Sequence, residues 1–201
     1  DIERLMAEIE LPLNFEMAAT NEMKDIALRL KPNAVCIVPE KRMEITTEGG
    51  LDLISQFDRL KSICHQLNDN GLRISLFIEP DLRQIETALK LEVPVIELHT
   101  GTYSELRADN KENELKRIQR AVDYANELGI ECHAGHGLNY ENVGPIASIK
   151  KITELNIGHF LIGEAVFIGL TNAIDKMKRI MAEARRVEVS NSESPHNKRG
   201  L

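Results

Sequence analysis

A chain of 201 residues and 22.7 kDa, with 42% apolar and 28% charged residues, is long enough for one sizeable core and too short to require two. Its net charge of -7 and pI near 5.5 supply no broad positive field, so neither nucleic acid nor an anionic membrane is an expected partner, and any phosphate must be held locally. No apolar run approaches the roughly 20 residues that span a bilayer, and no charged-then-apolar signal segment opens the chain, so the sequence reads as that of a soluble protein. Cys36, Cys64 and Cys132 are widely spaced and outside any CxxC pattern. They read as buried free thiols, and the expected compartment is the reducing cytoplasm.

In chain order, an amphipathic helix near Asp1 to Glu8 precedes a strand at Leu13–Met17, and further strands follow at Ala34–Pro39, Arg73–Ile78, Val95–Thr100, Glu131–Ala134 and Glu154–Gly158. Between the second and third, Leu53, Phe57, Leu60, Ile63, Cys64 and Leu67 recur at helical spacing, and Asn70-Gly71 closes that helix. Leu115, Ile118, Ala121, Val122 and Ala125 form a second stripe, closed by Gly129. Phe160 to Gly169 reads as a short helix. The tail from Ser190 to Leu201 is polar and expected to be disordered, which gives a domain over residues 1–186 and a tail over 187–201. Val-, Ile- and Leu-rich strands each followed by a helix indicate βα units on a parallel sheet. Periodicity alone leaves two architectures open, a (β/α)8 barrel and a doubly wound sheet. A closed barrel needs eight strands in typically about 250 residues, and this sequence supplies six.

Polar residues gather where these strands end. Asn14 and Glu16 share one strand face, as do Glu97 and His99, because residues two apart point the same way. A carboxyl facing an apolar interior is costly unless paired or protonated, so either catalysis or a structural ion pair with Lys41 or Arg42 accounts for Glu16 and Glu97. In Gly135-His136-Gly137 the glycines allow close approach of a ligand to an imidazole that can exchange a proton; a turn with a solvated histidine is the plainer reading. Gly158-His159 opens the last short helix, whose free N–H groups could hold a phosphate or simply begin the helix. Thr46-Thr47-Glu48-Gly49-Gly50 offers hydroxyls and N–H groups to an anion, or a cap to the following helix. His99, His133, His136 and His159 lack a compact ligand motif such as HExxH, so a metal is not expected.

Asn14-Phe15-Glu16-Met17, Val38-Pro39-Glu40-Lys41-Arg42, Thr46 to Gly50, Ile96-Glu97-Leu98-His99-Thr100-Gly101, Ala134-Gly135-His136-Gly137-Leu138 and Leu155-Asn156-Ile157-Gly158-His159 together resemble, in order and approximate spacing, the pyridoxine 5′-phosphate synthase family. The resemblance runs from about Asp1 to Arg185. It implies a cytoplasmic (β/α)8 TIM barrel, usually a homo-octamer, of which this sequence carries strands three to eight. It implies a vitamin B6 pathway enzyme that condenses 1-deoxy-D-xylulose 5-phosphate with 3-amino-2-oxopropyl phosphate and releases inorganic phosphate and water, with no metal or organic cofactor. By that resemblance Glu16 is a general acid/base, His136 a proton donor and Glu97 a transition-state stabiliser. Thr46, Gly137, Gly158 and His159 correspond to substrate-phosphate positions.

The family's Asn-x-Asp-His and His-x-Arg segments have no counterpart in this sequence, since the resemblance begins at the helix after the family's second strand. For the chain by itself the expectation is an open sheet edge and little synthase activity. Two other readings are a non-catalytic barrel remnant or subunit, and another phosphosugar lyase or isomerase on the same fold. The latter lacks a convincing Schiff-base lysine, because Lys41 sits beside Arg42 in a loop better suited to binding an anion.

Overall fold

The computed structural model describes residues 1–40 and 49–192. The elements run α1 (Ile2–Glu8), β1 (Asn14–Ala18), α2 (Asn21–Leu30), β2 (Ala34–Val38), α3 (Phe57–Asp69), β3 (Arg73–Ile78), α4 (Leu82–Lys90), β4 (Val95–His99), α5 (Gly101–Glu105), α6 (Ala108–Glu127), β5 (Glu131–Gly135), α7 (Val143–Ser148), β6 (Ile152–Asn156), α8 (His159–Ile168) and α9 (Leu170–Ser192). Local chemistry sets many of the boundaries. Thr20 caps α2 by accepting from the Met23 N–H, Asp81 caps α4 by accepting from the Arg83 N–H, and Gly71 and Gly129 follow α3 and α6 at φ 77° and 75°.

All six strands are parallel, and their spatial order is their sequence order, β1-β2-β3-β4-β5-β6. This decides between the two architectures. A doubly wound sheet reverses its strand order at a switch point, whereas a barrel wall adds each strand beside the last. The wall curls into a half-barrel, and residues from the ends of both β1 and β6 border the same cleft. Among the described residues β1 and β6 each have one strand neighbour.

The two sides of the sheet differ in chemistry. Phe15, Met17, Val35, Ile37, Ile74, Leu76, Ile78, Ile96 and Leu98 point to the helices and form the core with Leu60, Ile63, Leu67, Ile85, Ile118 and Val122. The intervening positions line the concave side and include Glu16, Cys36, Ser75, Glu97, His99, His133 and Asn156. Toward the opposite end of the strands from the cleft, Arg73 pairs with Glu131 at 2.7 Å and Glu131 meets His133 Nε2 at 2.9 Å, which ties β3 to β5 across the concave side. The Arg73 guanidinium, then the His133 hydrogen bond, hold the Glu131 carboxyl down to about 2.

The sequence-based strands are displaced little. The third is Arg73–Ile78 as expected, the first is Asn14–Ala18, and the sixth begins at Ile152 and ends at Asn156, two residues before the expected end. Its end is set by Gly158, which already serves as the N-cap of α8. At the C-terminus α9 runs helically to Ser192, past residue 186 and into the polar stretch. No helix of the described residues is long and apolar enough to cross a membrane. Replacing fully buried Leu76 by Ala is expected to cost about 2–5 kcal/mol in urea unfolding. Leu5→Ala, on the exposed face of α1, is expected to change stability by less than about 0.5 kcal/mol.

Candidate active site

The C-terminal ends of the strands open on one cleft of about 1250 Å³. β1 contributes Glu16, β3 Phe77, β4 Glu97 and His99, and β6 Asn156; the segments after β2, β5 and β6 add Pro39, His136, Gly137, Gly158 and His159. Glu16, Glu97, His136, Gly137, Gly158 and His159, all singled out from the sequence, therefore border a single space. Thr46, together with Lys41, Arg42 and Thr47, lies outside the described residues.

Glu97 sits deepest. Only 3% of its surface is exposed, and the described groups bonded to it are neutral: Asn156 Nδ2 donates to Oε2 at 2.7 Å and the Cys36 thiol donates to the same oxygen at 3.5 Å. Burial without a cationic partner among these contacts pushes the carboxyl up to about 7, against the pull of the Asn156 and Cys36 hydrogen bonds. Burial, then the nearby Glu97 carboxyl, raises the Cys36 thiol, which stays a protonated donor. The other oxygen, Oε1, occupies the space where residue 135 would carry a side chain; a Cβ on Gly135 would lie 2.3 Å from it. Gly135 is thus glycine because Glu97 needs the room.

His136 follows at φ +80°, a left-handed conformation unusual for a residue with a side chain, and Gly137 continues at φ +75°. The segment after β4 holds this turn. The Thr100 N–H donates to the Gly135 carbonyl at 2.8 Å, the Thr100 hydroxyl lies 2.7 and 2.6 Å from the carbonyls of Gly135 and His136, and Ser104 Oγ is 3.4 Å from the latter. The ring stands 4.9 Å from that of His99, centroid to centroid. Burial and then the neighbouring His99 lower the His136 imidazole below its ordinary 6.5. A carboxyl raised to about 7 and an imidazole lowered below 6.5 beside one cleft can each give or take a proton near neutral pH.

Glu16 lies on the concave face of β1 with its side chain exposed at the cleft, so its carboxylate is open to solvent or ligand. Gly158 is the N-cap of α8, so the free N–H groups of a ten-residue helix point into the cleft beside exposed His159. The structural ion pairs considered from the sequence for Glu16 and Glu97, with Lys41 or Arg42, fall on residues outside those described. The sequence reading missed Glu79, just after β3, which is 3% exposed, lies 2.7 Å from His99 Nδ1 and accepts from the Gly50 N–H and Arg117. The signal was present, since Glu79 follows the apolar strand Arg73–Ile78 directly, in the same place relative to its strand as the other site residues.

Strand order and the position of the cleft define the class: a β/α-barrel protein with a cleft at the C-terminal ends of its strands. The chain belongs to the family described as pyridoxal phosphate biosynthesis protein PdxJ, whose sequence profile matches residues 1–183. It is 56% identical over 187 residues to a pyridoxine 5′-phosphate synthase of Rhodospirillum rubrum, covering 92% of this chain and 75% of that one. To the synthase of Zymomonas mobilis it is 57% identical over 185 residues, covering 92% and 72% respectively. The chain therefore spans about three quarters of the length of these relatives. Among solved structures, a xylose isomerase domain protein from Planctomyces limnophilus matches with a TM-score of 0.51 at 12% identity, covering 86% of this chain and 72% of that one. A copper homeostasis protein CutC from Streptococcus agalactiae matches at 0.52 and 18%, covering 78% of each chain. These two likenesses concern the fold alone.

The raised Glu97 carboxyl has a consequence for stability. Below about pH 4.5 the group is protonated both folded and unfolded and contributes nothing; between 4.5 and 7 the unfolded chain releases a proton that the folded one keeps, so stability falls as pH rises. Above 7 the full cost, about 3 kcal/mol, is present. Glu97→Gln is expected to match the unsubstituted protein in urea unfolding near pH 4 and to be the more stable by about 3 kcal/mol at pH 8. Equal midpoints at both pH values would refute it.

Proposed function

We propose that the protein acts as a pyridoxine 5′-phosphate synthase, joining 1-deoxy-D-xylulose 5-phosphate to 3-amino-2-oxopropyl phosphate with release of inorganic phosphate and water. The observation that carries this reading is the buried Glu97 carboxyl, raised to about 7, in the same cleft as the Gly135-His136-Gly137 turn and the N-terminus of α8. Joining an amine to a ketone and closing an aromatic ring requires several proton transfers, and two groups with values near neutrality can alternate as acid and base. A site that also binds phosphorylated substrates needs an anion cradle, and the free N–H groups behind Gly158 supply one. Names borne by relatives at 56% and 57% identity support the same reading.

In this proposal Glu16, open to the cleft, takes and returns substrate protons. His136, whose imidazole is lowered, is neutral at pH 7 and so accepts a proton before donating it. Glu97 in its protonated form donates a hydrogen bond to oxygen that gains negative charge, as a neutral buried acid can. Gly137, Gly158, His159 and Thr46 bind substrate phosphate, and no metal or organic cofactor takes part. The protein works in the cytoplasm as a homo-oligomer, an octamer by likeness to the family.

The first test is the intact mass of the purified protein, followed by an assay of the same sample for pyridoxine 5′-phosphate from the two phosphorylated substrates. Product formation is expected; unchanged substrates with a folded protein would sink the proposal. His136→Asn, chosen because Asn tolerates positive φ, should lower kcat by about 10²–10⁴-fold while leaving the fold intact. Because Glu97 is required protonated, kcat/KM should decline as pH rises through about 7, and Glu97→Gln should lose that alkaline limb.

A further inference from the structure

His99 has no part in the proton transfers assigned above, although it borders the cleft and is nearly buried. Its surroundings are built with unusual closeness. Nδ1 lies 2.7 Å from Glu79 Oε1, and with both side chains buried this contact is shielded from water. The same Oε1 accepts from the Gly50 N–H at 3.0 Å, and Oε2 accepts from Arg117 Nη2 at 3.2 Å, while Arg117 is also bonded to Glu114. Among the described residues this carboxyl meets the Gly50 N–H and the Arg117 guanidinium, both donors, and beside them His99 is placed to present an N–H at Nδ1. Its Nε2 lies on the side toward Gly101.

Glycines enclose this pair because nothing larger fits. A Cβ on Gly50 would stand 2.4 Å from the Glu79 backbone nitrogen, and one on Gly101 would stand 2.5 Å from His99 Nε2 and 3.1 Å from His136 Cδ2. The ring of His99 therefore packs directly against that of His136, 4.9 Å away, and against Phe77, 5.2 Å away and nearly perpendicular. His136 needs such support. Its backbone is left-handed, a conformation that persists only where the surroundings enforce it, and Thr100 and Ser104 grip the carbonyl without touching the imidazole. The rings of His99, at 4.9 Å, and Phe77, at 6.4 Å, stand beside the imidazole, His99 the nearer.

We propose that His99 is a positioning residue for His136, held by Glu79 and, through Glu79, by Arg117 on α6, so that a brace from the outer helix layer sets the orientation of the proton-transferring imidazole. The inference rests on the role of His136 proposed above. It reaches beyond that role by assigning work to three residues, His99, Glu79 and Arg117, that need not touch substrate.

The test uses the purified protein with His99→Asn, which keeps an amide N–H where Nδ1 lies but removes the ring, and Glu79→Gln, which keeps an acceptor but removes the charge. Misplacing a catalytic group lowers kcat more than binding, so His99→Asn should reduce kcat by about 10–100-fold with KM changed by less than about threefold, and Glu79→Gln should reduce kcat by about 3–10-fold. Histidine ¹⁵N spectra should show His99 protonated on Nδ1, and the His136 ring signals should shift in His99→Asn. A merely structural pair would lower the melting temperature of both variants and leave kcat alone. A kcat of His99→Asn within twofold of the unsubstituted protein, or His99 protonated only on Nε2, would overturn the proposal. Should the unsubstituted protein make no product, the functional reading fails separately, and the spectra still decide: unaltered His136 ring signals in His99→Asn would refute the brace.

Discussion

Period-two alternation on a singly ordered parallel sheet is the constraint from which the rest follows. Each strand sends one set of side chains to the helices and the other to the concave side. Because every strand lies beside its sequence neighbours, the second set converges on one space. Parallel sheets covered on both faces usually read as continuous apolar runs. Here the apolar set Val35, Ile37, Ile74, Leu76, Ile96 and Leu98 alternates with Cys36, Ser75, Glu97 and His99, so the concave side is polar by sequence. A polar interior contributes less to stability, and the helix-facing side must supply the cohesion. The near-complete burial of that side fits this division.

The polar side is tolerable only because its groups are matched to each other at close range. Among the described residues Glu97 has two neutral donors and space left by Gly135, and Glu79 meets His99, the Gly50 N–H and Arg117 with space left by Gly50. The two carboxyls, each 3% exposed, thereby acquire opposite characters. Glu79, facing a guanidinium and N–H groups, is held as an anion and can anchor. Glu97, facing an amide and a thiol, keeps its proton to about 7 and can act on it. Environment separates anchor from acid, and the environment is specified by Asn156, Cys36, Arg117 and glycine.

Much of this was legible in the sequence, and the limits have physical causes. Six strands, and the gathering of Glu16, Glu97, His136, Gly158 and His159 at their ends, follow from apolar runs that terminate in polar residues. Strand order was not legible, because βα periodicity is the same in a barrel and a doubly wound sheet; pairing, not period, separates them. Glu79 escaped notice because Glu79-Pro80-Asp81 reads as an ordinary turn leading to a helix cap, and its partners Gly50, His99 and Arg117 are distant in sequence. The left-handed backbone of His136 was equally hidden. Flanking glycines advertise freedom for themselves, not strain at the residue between them.

Position along the arc also orders the site. Glu97 and His99 come from β4, which has strands on both sides, and are buried; Glu16 and His159 come from the ends of β1 and β6, which have one strand neighbour each among the described residues, and are exposed. Desolvation is strongest where the wall is continuous, so the carboxyl with the raised proton affinity sits at its middle and the exposed, hydrated groups lie toward its ends. α8 shows the same gradient. It packs on α9 but leaves Val166 and Phe167 exposed at 79% and 84%, while at its other end exposed Gly158 and His159 border the cleft. Under the function proposed above, a substrate phosphate would reach this exposed end of the cleft while still hydrated, and the reacting carbons would lie inward, toward the groups whose proton affinities the buried strands have set.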